Sequence, residues 1–571
     1  MNERIEREND GNILEIENLH LEFRSHGIWR EVVKGVNFSL KKGETLGLVG
    51  ESGSGKSVSA LATMGLLDKN NSKITQGRIL FDSSVDLLQL SEKEMRKYRG
   101  GKIAMIFQEP MTSLNPVVKC GKQVVEMILQ HEDCSKKDAE KRVLELFDEV
   151  LLPNPSRVFD AYPHELSGGQ KQRVMIAMAI ACKPEVLIAD EPTTALDVSV
   201  QKAVLDLIKT VQQKYGMGVI FISHDLGIVH SISDRIAVIY KGSIVETGDK
   251  DSVFLNPQHP YTKGLLACRP SMNERPKRLP TIDDYLNGTN NDNYVITQEE
   301  RSKQHSEIYS QEPILQVRDL EVEYVLDKNL FGKSKKTLKA VDKVGFDLYR
   351  GETLGLVGES GCGKTTLGRA IMQLVENSSG NIVFENRILN CNSHSELKKL
   401  RRDIQIIFQD PYSSLNPKIT VGQAIGEPLK TYSIESDAKK RKALVLEMME
   451  KVGLEASHYD RYPHEFSGGQ RQRIGIARAL ILRPKIVICD ESVSALDVSI
   501  QAQVLNLLAD LKREFGLTYI FISHDLAVVK YVSDRMIVMR KGKVIQIDEA
   551  DKVYSAPSDE YVKTLIDSIP S

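Results

Sequence analysis

The sequence predicts an α/β protein made of two tandem copies of one domain, each with a mixed sheet core, an antiparallel β subdomain and an inserted helical subdomain. Three observations support this prediction. The motif Gly-Glu-Ser-Gly-x-Gly-Lys begins at Gly50 and again at Gly358, and several later motifs also occur twice. Short apolar runs have the length of strands that are buried on both faces. Between these runs, a charged stretch carries apolar residues at helical spacing.

The repeat keeps its register along most of its length. Lys56 and Lys364 lie 308 positions apart, whereas the later aspartates Asp190 and Asp490 lie 300 positions apart. A repeat of this length indicates domain duplication, because solenoid repeats have periods of about 20 to 50 residues. The second copy has therefore lost a few loop residues in the stretch that corresponds to residues 70–101.

The elements follow in the same order in each half. Alternating apolar residues at 13–23 and 314–324 predict an antiparallel strand with one solvent-facing side. An apolar strand then leads into each glycine-rich loop. The four-residue apolar runs at 186–189 and 219–222 are typical of parallel strands covered by helices on both faces. The stretches that predict the helical subdomains are 119–150 and 421–452.

The chain is too long for one hydrophobic core, and two domains of about 250 residues each fit the usual limit. The expected parts are a first domain at 1–255, a C-terminal extension at 256–285, a flexible linker at 286–312 and a second domain with a shortened extension at 313–571. The linker contains an asparagine-rich run with little apolar surface to bury. Its length would let the two halves meet face to face.

Charge and hydropathy exclude several classes of protein. The net charge of −2 provides no overall basic field for nucleic acid. No apolar run approaches the length of about 20 residues that spans a bilayer, and residues 1–10 lack the apolar centre of a signal peptide. We therefore expect a cytosolic protein, so that any membrane-spanning part belongs to other subunits. The seven cysteines include no Cys-x-x-Cys pair, which favours reduced thiols.

The glycine-rich motifs have the pattern of loops that bind phosphates. In Gly-x-x-x-x-Gly-Lys-Ser/Thr, backbone N–H groups surround the β-phosphate, and the following helix begins with its positive end toward the anion. A single match could be only a glycine turn before a helix, but two matches after apolar strands favour ATP. The candidate nucleotide-binding residues are Gly50, Glu51, Ser52, Gly53, Ser54, Gly55, Lys56 and Ser57, and Gly358, Glu359, Ser360, Gly361, Cys362, Gly363, Lys364, Thr365 and Thr366.

Several of these residues, and others that follow them, are candidates for the chemistry. Lys56 and Lys364 should reach the β- and γ-phosphates. Acidic pairs end two buried strands, and the aspartate of each pair is placed to hold Mg²⁺, while the glutamate is placed to orient and deprotonate water. The candidate Mg²⁺ ligands are Ser57, Gln108, Asp190, Thr365, Gln409 and Asp490. The candidate catalytic residues are Glu191, Glu491, His224, His524, Gln108 and Gln409.

A second motif could bind the same nucleotide from another direction. Each copy places a serine as a helix N-cap before two glycines and a glutamine, which exposes N–H groups at the positive end of a helix. These residues lie too far along the chain to share the phosphates of their own half, so we expect them to act on the other half. They are Ser167, Gly168, Gly169 and Gln170, and Ser467, Gly468, Gly469 and Gln470.

These motifs together, each present twice, resemble the nucleotide-binding domains of ABC transporters over nearly the whole chain. The resemblance includes the D-loops at 195–197 and 495–497 and implies a head-to-tail pair of domains that encloses two ATP molecules. It also implies that Phe23 and Tyr324 stack on the adenines, with Trp29 and Phe331 as alternatives.

One segment narrows the resemblance. The chain resembles the oligopeptide/dipeptide/nickel importer ATPases in His259-Pro-Tyr-Thr-Lys and in the Ser-Leu-Asn-Pro and Ala-Leu-Asp-Val-Ser motifs. The fusion of two ATPases in one chain resembles the glutathione- and microcin-type importers. The second copy keeps Tyr561 but loses His-Pro. Some members of this family carry a cysteine-ligated iron–sulfur cluster in this extension. Cys268 stands alone here, so we expect no iron–sulfur cluster.

The resemblance implies the ATP-hydrolysing subunit of a bacterial importer for peptides or peptide-like small solutes. We expect both sites to hydrolyse ATP, because each has its lysine, glutamate and histidine and an intact serine-glycine motif in the opposite half. The expected partners are two integral-membrane permease subunits and an extracytoplasmic solute-binding protein, with no nucleic acid. The chain would then lie at the cytoplasmic face of the cell membrane. One alternative is a soluble tandem ABC ATPase acting on ribosomes or nucleic acid, but those proteins carry a long charged helical linker. Another is an exporter ATPase pair, which the extension disfavours.

Overall fold

A computed structural model describes residues 11–25, 27–108, 113–193, 198–289, 294–328, 334–389, 393–410, 412–494 and 496–567. The chain forms two compact units. The first unit is chiefly Met1–Leu266 with Ile282–Thr289, and the second is Ala267–Thr281 with Asn290–Ile569. The chain therefore passes between the units at 266/267 and 281/282, within the segment assigned to the extension, and at 289/290, within the segment assigned to the linker.

The described part of the first unit alternates strands and helices. The strands are β1 (Asn12–Ser25), β2 (Ile28–Lys41), β3 (Thr45–Val49), β4 (Ser72–Phe81), β5 (Val85–Asp86), β6 (Ile103–Ile106), β7 (Val186–Asp190), β8 (Gly218–Ser223), β9 (Arg235–Tyr240) and β10 (Ser243–Asp249). The helices are α1 (Lys56–Thr63), α2 (Glu92–Tyr98), α3 (Cys120–His131), α4 (Lys136–Glu149), α5 (Pro155–Asp160), α6 (Gly168–Ile180), α7 (Val198–Tyr215), α8 (Leu226–Ile232), α9 (Lys250–Leu255), α10 (Pro260–Ala267) and α11 (Ile282–Leu286).

Two sheets organise the first unit. An antiparallel sheet has the order β2-β1-β4-β5, and a mixed sheet has the order β10-β9-β3-β8-β7-β6, in which β10 alone runs antiparallel to its neighbour. The central strands β3, β7 and β8 are buried along their whole length, as the apolar runs predicted. One hydrophobic cluster joins both sheets to α1 and α2. The helix that follows the glycine-rich loop is therefore fixed between the two sheets.

Helices α3, α4 and α5 form the helical subdomain between β6 and α6. They pack on one another, and α3 and α4 also contact α6. The buried side chains of α3 and α4 include Val124, Val143 and Phe147, which recur at the helical spacing seen in the sequence. This packing connects the helical subdomain directly to the helix whose first residues are the candidate second phosphate motif.

The second unit repeats this arrangement. Its strands are β11 (Pro313–Lys328), β12 (Ser334–Tyr349), β13 (Thr353–Val357), β14 (Ser379–Phe384), β15 (Arg387–Ile388), β16 (Ile404–Ile407), β17 (Ile486–Asp490), β18 (Thr518–Ile522), β19 (Arg535–Arg540) and β20 (Lys543–Glu549). Its helices are α12 (Gln298–Tyr309), α13 (Lys364–Ile371), α14 (His394–Asp403), α15 (Val421–Thr431), α16 (Ala438–Lys451), α17 (Gly468–Leu480), α18 (Val498–Phe515), α19 (Leu526–Val532), α20 (Ala550–Ser555) and α21 (Glu560–Asp567).

The sheets of the second unit have the orders β12-β11-β14-β15 and β16-β17-β18-β13-β19-β20. These are the same two sheets as in the first unit, with the glycine-rich loop again following the central strand. Helices α15 and α16 pack together as the second helical subdomain. The predicted α/β class, with mixed and antiparallel sheets and an inserted helical subdomain in each half, is confirmed.

The segment that we expected to be a flexible linker contains an ordered helix. Thr297 caps α12, and its Oγ1 accepts the N–H of Glu300 at 3.2 Å. Arg301, His305 and Ile308 are buried on one face of α12. Residues 290–293, in the asparagine-rich run, lie outside the described residues. Polar composition was a poor guide here, because α12 is held largely by ionic and carbonyl contacts and not by a broad apolar face.

Within the described part of the chain, none of the helices is both long and apolar enough to span a membrane.

Candidate active sites

The glycine-rich loop of the first unit connects β3 to α1, and that of the second unit connects β13 to α13. We call residues 50–57 and 358–365 the phosphate loops. Gly55 and Gly363 are the last residues before α1 and α13. Each has a φ of 108°, which lies in the left-handed region that favours glycine. A Cβ at Gly363 would lie 2.1 Å from the carbonyl oxygen of Ala340. Glycine is therefore required both by the backbone conformation and by the close approach of the neighbouring strand.

Each loop lysine is buried and bonded to its own loop. In the first unit Lys56 Nζ donates to the carbonyl oxygens of Gly50 at 2.6 Å and Glu51 at 2.8 Å. Next to it, Ser57 Oγ donates to Asp190 Oδ1 at 2.9 Å. The hydroxyl from the start of α1 and the carboxylate from the end of β7 thus form one group of oxygen atoms beside the lysine.

Burial raises the pKa of Asp190 to about 6, and the charge of Glu191 adds to the rise. The hydrogen bond from Ser57 and the charge of Lys56 act in the opposite direction. A cation close to this carboxylate would also favour its ionised form. A divalent cation beside Asp190 would thus act against the effect of burial on this carboxylate.

Glu191 follows Asp190 in an unusual backbone conformation. Its φ is 46°, and that of Glu491 is 47°, so both glutamates lie in the left-handed region that non-glycine residues rarely adopt. In the first unit the N–H of Glu191 donates to the carbonyl of Ile222 on β8 at 3.0 Å. The same strained geometry at two equivalent positions indicates that the fold fixes the direction of each carboxylate, as is common at functional sites.

A glutamine and a histidine contact the carboxylate of Glu191 from different elements. Gln108, just after β6, donates from Nε2 to Glu191 Oε2 at 3.0 Å. His224, just after β8, places Nδ1 3.3 Å from Glu191 Oε1. The sequence predicted each of these residues separately, and the structure brings them together around one carboxylate.

The second unit has the same set of contacts. Lys364 Nζ donates to the carbonyls of Gly358 at 2.7 Å and Glu359 at 3.0 Å. Thr365 Oγ1 donates to Asp490 Oδ1 at 2.9 Å. Gln409 Nε2 donates to Glu491 Oε2 at 2.7 Å, and His524 Nδ1 lies 3.4 Å from the same oxygen. Burial raises the pKa of Asp490, as it does that of Asp190. Burial also acts to raise the pKa of Glu491, but the hydrogen bond and charge of His524 and the charge of Lys364 outweigh it, so the net pKa is lowered.

The second phosphate motif begins a helix in each unit. Ser167 Oγ accepts the N–H of Gln170 at 3.3 Å, and Gln170 Oε1 accepts the N–H of Ser167 at 3.1 Å. Ser467 and Gln470 make the same capping box at the start of α17. The second glycine has a packing role that the sequence did not suggest, because a Cβ at Gly169 would lie only 2.7 Å from Val200 Cγ1 on α7.

Residues 33–194 and 341–494 match the ABC transporter family. Residues 245–292 match the C-terminal region of oligopeptide/dipeptide transporters. The chain belongs to the ABC transporter family. Both of its phosphate loops lie in matched segments, and the chain is an ABC-type ATPase.

Curated relatives cover both halves. The glutathione import ATP-binding protein GsiA of Escherichia coli strain K12 is 47% identical over 574 aligned positions, covering 98% of this chain and 90% of the relative. The protein of the same name from Shigella dysenteriae serotype 1 gives the same values. These matches confirm the resemblance to fused importer ATPases.

Solved structures of single cassettes also match. The dimeric post-hydrolysis state of the ATP-binding cassette MJ0796 with ADP and Pi is 28% identical and covers 41% of this chain and 98% of that chain, with a TM-score of 0.38. The cbiO1 structure from Clostridium perfringens, part of the ABC transporter complex cbiONQ, is 28% identical and covers 43% of this chain and 92% of that chain, with a TM-score of 0.38.

The two aromatic residues expected at the adenines of this ABC ATPase differ in environment. Phe23 is half-buried and packs against the hydrophobic cluster of the first unit. Tyr324 is 38% exposed on β11. Trp29, the alternative in the first half, is 37% exposed, and Lys73 Nζ lies 4.6 Å from its ring centroid. Phe331 lies outside the described residues, so the stacking residues stay a prediction in both halves.

Other ABC motifs fall partly outside the described residues. The D-loop at 195–197 is not among them, nor is Ala495, although Asp497 is described and precedes α18. The segment 109–112 after Gln108 is also outside.

Sequence reasoning missed one residue at each phosphate loop. Tyr261 on α10 accepts the N–H of Glu51 on its hydroxyl at 3.0 Å, and Tyr561 on α21 accepts the N–H of Glu359 at 3.2 Å. A signal was present, because these two tyrosines lie 300 positions apart, as the strand-end aspartates do. The importer-type extension of this ABC ATPase is therefore in direct contact with its nucleotide sites.

The residues expected to hold Mg²⁺ present the right kind of atoms. A serine or threonine hydroxyl lies beside an aspartate carboxylate in each unit, and magnesium prefers such hard oxygen ligands. The glutamine amides contact the adjacent glutamates. Among the described residues, no group of three or more His, Cys, Asp or Glu side chains could hold a metal ion alone.

Proposed function

We propose that the chain is the ATP-hydrolysing subunit of a bacterial importer for peptides or peptide-like small solutes. It would bind at the cytoplasmic face of the membrane to two integral-membrane permease subunits that receive solute from an extracytoplasmic binding protein. The observation that carries this proposal is the presence of two segments of the ABC transporter family on a chain with the oligopeptide/dipeptide transporter C-terminal region. The relatives named for glutathione import make glutathione the first solute to test.

Each phosphate loop would bind the phosphates of one ATP through its N–H groups, with Lys56 or Lys364 on the β- and γ-phosphates. The magnesium ligands would be Ser57, Gln108 and Asp190 in the first unit and Thr365, Gln409 and Asp490 in the second. Magnesium supplies neutralising charge on the phosphate oxygens during transfer. To reach the phosphates, Lys56 has to leave the carbonyls of Gly50 and Glu51 that it now contacts.

Glu191 and Glu491 would accept the proton of the attacking water. A base has to be ionised to do so, and the lowered pKa of Glu491 keeps its carboxylate charged at neutral pH. Gln108 holds one oxygen of Glu191 and would release it when it turns toward the magnesium site. Glutamine movement would thereby link nucleotide binding to the freedom of the catalytic carboxylate.

The capping-box serines and glycines at 167–170 and 467–470 would complete the ATP site of the opposite half. Both Ser167 and Gly168 are exposed, and each motif begins a helix of 13 residues, whose N-terminus favours a phosphate. ATP would close the pair of halves only through contacts that the open state lacks. Hydrolysis would remove those contacts and let the halves reopen.

Exposed aromatic residues suit permease docking near the glutamines. Phe107 precedes Gln108 and is 37% exposed, and Phe408 precedes Gln409 and is 41% exposed. Tyr412, a few residues further, is 57% exposed. Apolar surface beside a residue that moves with nucleotide is a suitable place to transmit motion to a partner.

Purification from membranes tests the proposal. We expect the tagged chain to co-purify with multi-spanning membrane proteins, and cells that depend on it to take up labelled glutathione or short peptides. The matched control is the double variant Lys56→Ala/Lys364→Ala, which should keep the partners and lose uptake. Co-purification with ribosomes or nucleic acid, in place of membrane proteins, would contradict the importer and support the soluble alternative.

A further inference from the structure

The C-terminal extension contacts the phosphate loop in the same way in both units. Tyr261 is fully buried and Tyr561 is 6% exposed. Their hydroxyls accept the N–H groups of Glu51 and Glu359 at 3.0 and 3.2 Å. We call these two residues the extension tyrosines. Each reaches the second residue of its phosphate loop from a helix more than 200 residues further along the chain.

In the first unit, each residue of the His-Pro-Tyr sequence has a structural role. His259 Nδ1 accepts the N–H of Tyr261 at 3.1 Å and so caps α10, which begins at Pro260. Glu246 on β10 accepts the N–H groups of the two residues before the proline. The ring of Tyr261 stacks on Tyr240 with centroids 4.2 Å apart. These contacts hold the Tyr261 hydroxyl in the position where it accepts the N–H of Glu51.

The second unit reaches the same result with different residues. Asp559 Oδ1 accepts the N–H of Tyr561 at 2.8 Å, in place of the histidine. Gln546 on β20 accepts the N–H of Ser558 at 3.0 Å, in place of Glu246. The guanidinium of Arg540 lies 4.5 Å from the centroid of the Tyr561 ring, in place of the stacked tyrosine. The loss of His-Pro in the second copy therefore did not remove the contact.

One peptide segment of each loop is held from both sides. In the first unit the N–H of Glu51 is bonded by Tyr261, and its carbonyl is bonded by Lys56. In the second unit Tyr561 and Lys364 hold Glu359 in the same way. Once the lysine turns to the phosphates of ATP, the tyrosine is the contact that stays.

We propose that Tyr261 and Tyr561 are positioning residues that hold the phosphate loops in the conformation that binds ATP. A loop that is already ordered loses less conformational freedom on binding, which increases affinity without any new contact to the ligand. The extension of each half thus contributes to ATP affinity at its own site. The proposal concerns ATP binding and holds whichever solute is transported.

Nucleotide titrations of the full chain test it. In a Lys364→Ala background, where binding reports on the first loop, Tyr261→Phe should weaken the affinity for methylanthraniloyl-ATP with Mg²⁺ by about two- to tenfold, the usual effect of one hydrogen bond. Tyr561→Phe in a Lys56→Ala background should do the same. The control Tyr240→Phe removes the same atom from the stacked ring, whose hydroxyl interacts with Lys241, and should leave affinity unchanged.

Kinetics separate positioning from a purely structural role. In the otherwise natural chain, Tyr261→Phe/Tyr561→Phe should raise the KM for ATP by a similar factor and change kcat by less than about twofold, because bound ATP itself orders the loop. A lower melting temperature with unchanged affinity and KM would overturn the proposal. So would unchanged affinity in both phenylalanine variants, and since the two variants lie in different units, poor folding of one leaves the other as the test.

Discussion

The two halves agree closely inside the ATP sites and differ in what surrounds them. Gln108 and Gln409 donate to their glutamates at 3.0 and 2.7 Å, and both glutamates have φ near 47°. Outside the sites, α12 precedes the first strand of the second unit, whereas the described part of the first unit begins at residue 11, directly before β1. The comparison shows which contacts had to be kept after duplication and which could change.

The difference is clearest in the segments that follow His224 and His524. In the first unit Asp234, just after α8, accepts the N–H of Thr45 at 2.8 Å. In the second unit Asp534, just after α19, accepts the N–H of Thr353 at the same distance. Asp534 also lies 3.6 Å from His305 of α12 and 3.5 Å from Lys512. The linking segment has therefore become part of the support of the second site.

The largest expected effect tests whether the two sites are equally active. Glu191→Gln and Glu491→Gln should each lower ATP turnover to half or less, and the double variant should lose about 100-fold or more, the usual contribution of a general base. The reason is that each site has its own lysine, glutamate and histidine, with a complete capping-box motif in the opposite half. Steady-state hydrolysis by the three purified variants measures this.

The isosteric amide keeps the size of the side chain, so ATP binding serves as the control and should persist in all three variants. If one single substitution leaves turnover nearly unchanged, the halves are unequal and only one site is catalytic.

Much of this comparison could be predicted from sequence, but not all of it. The motif residues were found because their spacing is repeated and their residue types are restricted by chemistry. The positive φ of Glu191 could not be seen, because glutamate gives no sign of left-handed backbone. The order in α12 was hidden as well, since Arg301 and His305 look like solvent-exposed residues until their partners, more than 200 positions away, are placed beside them.

The next prediction concerns the contacts that hold α12 against the rest of the second unit. Arg301 donates to the carbonyls of Ser533 and Asp534 at 2.9 and 3.2 Å and lies 3.2 Å from Asp551. Arg301→Ala should lower the free energy of unfolding of the second unit by about 1–3 kcal/mol, because it removes the charged hydrogen bonds to both carbonyls and the ion pair with Asp551. Calorimetry, with limited proteolysis to assign the transition to the second unit, measures the change.

Lys303→Ala is the matched control, since Lys303 lies on the same helix with its side chain exposed. Equal losses from both substitutions would contradict the docking role of Arg301, because alanine at either position does not weaken the helix itself.

A smaller loss of stability is expected at acid pH. Burial acts to raise the pKa of Asp534, but Lys512, His305, the N–H of Thr353 and Arg301 together lower it to about 2. A lowered pKa stabilises the fold above the unfolded value near 3.9, and this stabilisation is lost as pH falls through the folded value. The second unit should therefore lose about 2 kcal/mol between about pH 5 and pH 2.

Urea unfolding at several pH values measures this loss. Asp534→Asn removes the titrating group, so its second unit should be less stable at neutral pH and show a weaker dependence on pH in the acid range. An unchanged pH dependence would show that other carboxylates account for the acid sensitivity.

The smallest effect is expected from substitutions of His259, which test whether the two extensions are interchangeable. If the first extension needs histidine only as the cap of α10, then His259→Asp, which copies Asp559 of the second unit, should keep both stability and the KM for ATP. His259→Ala should instead cost about 1 kcal/mol, the usual value of a lost helix cap, and should raise the KM because Tyr261 is held less firmly. Calorimetry and ATP titration of the two variants separate these outcomes. A His259→Asp chain that behaves like His259→Ala would show that the imidazole has a role of its own, and that the second half has lost that role together with its His-Pro sequence.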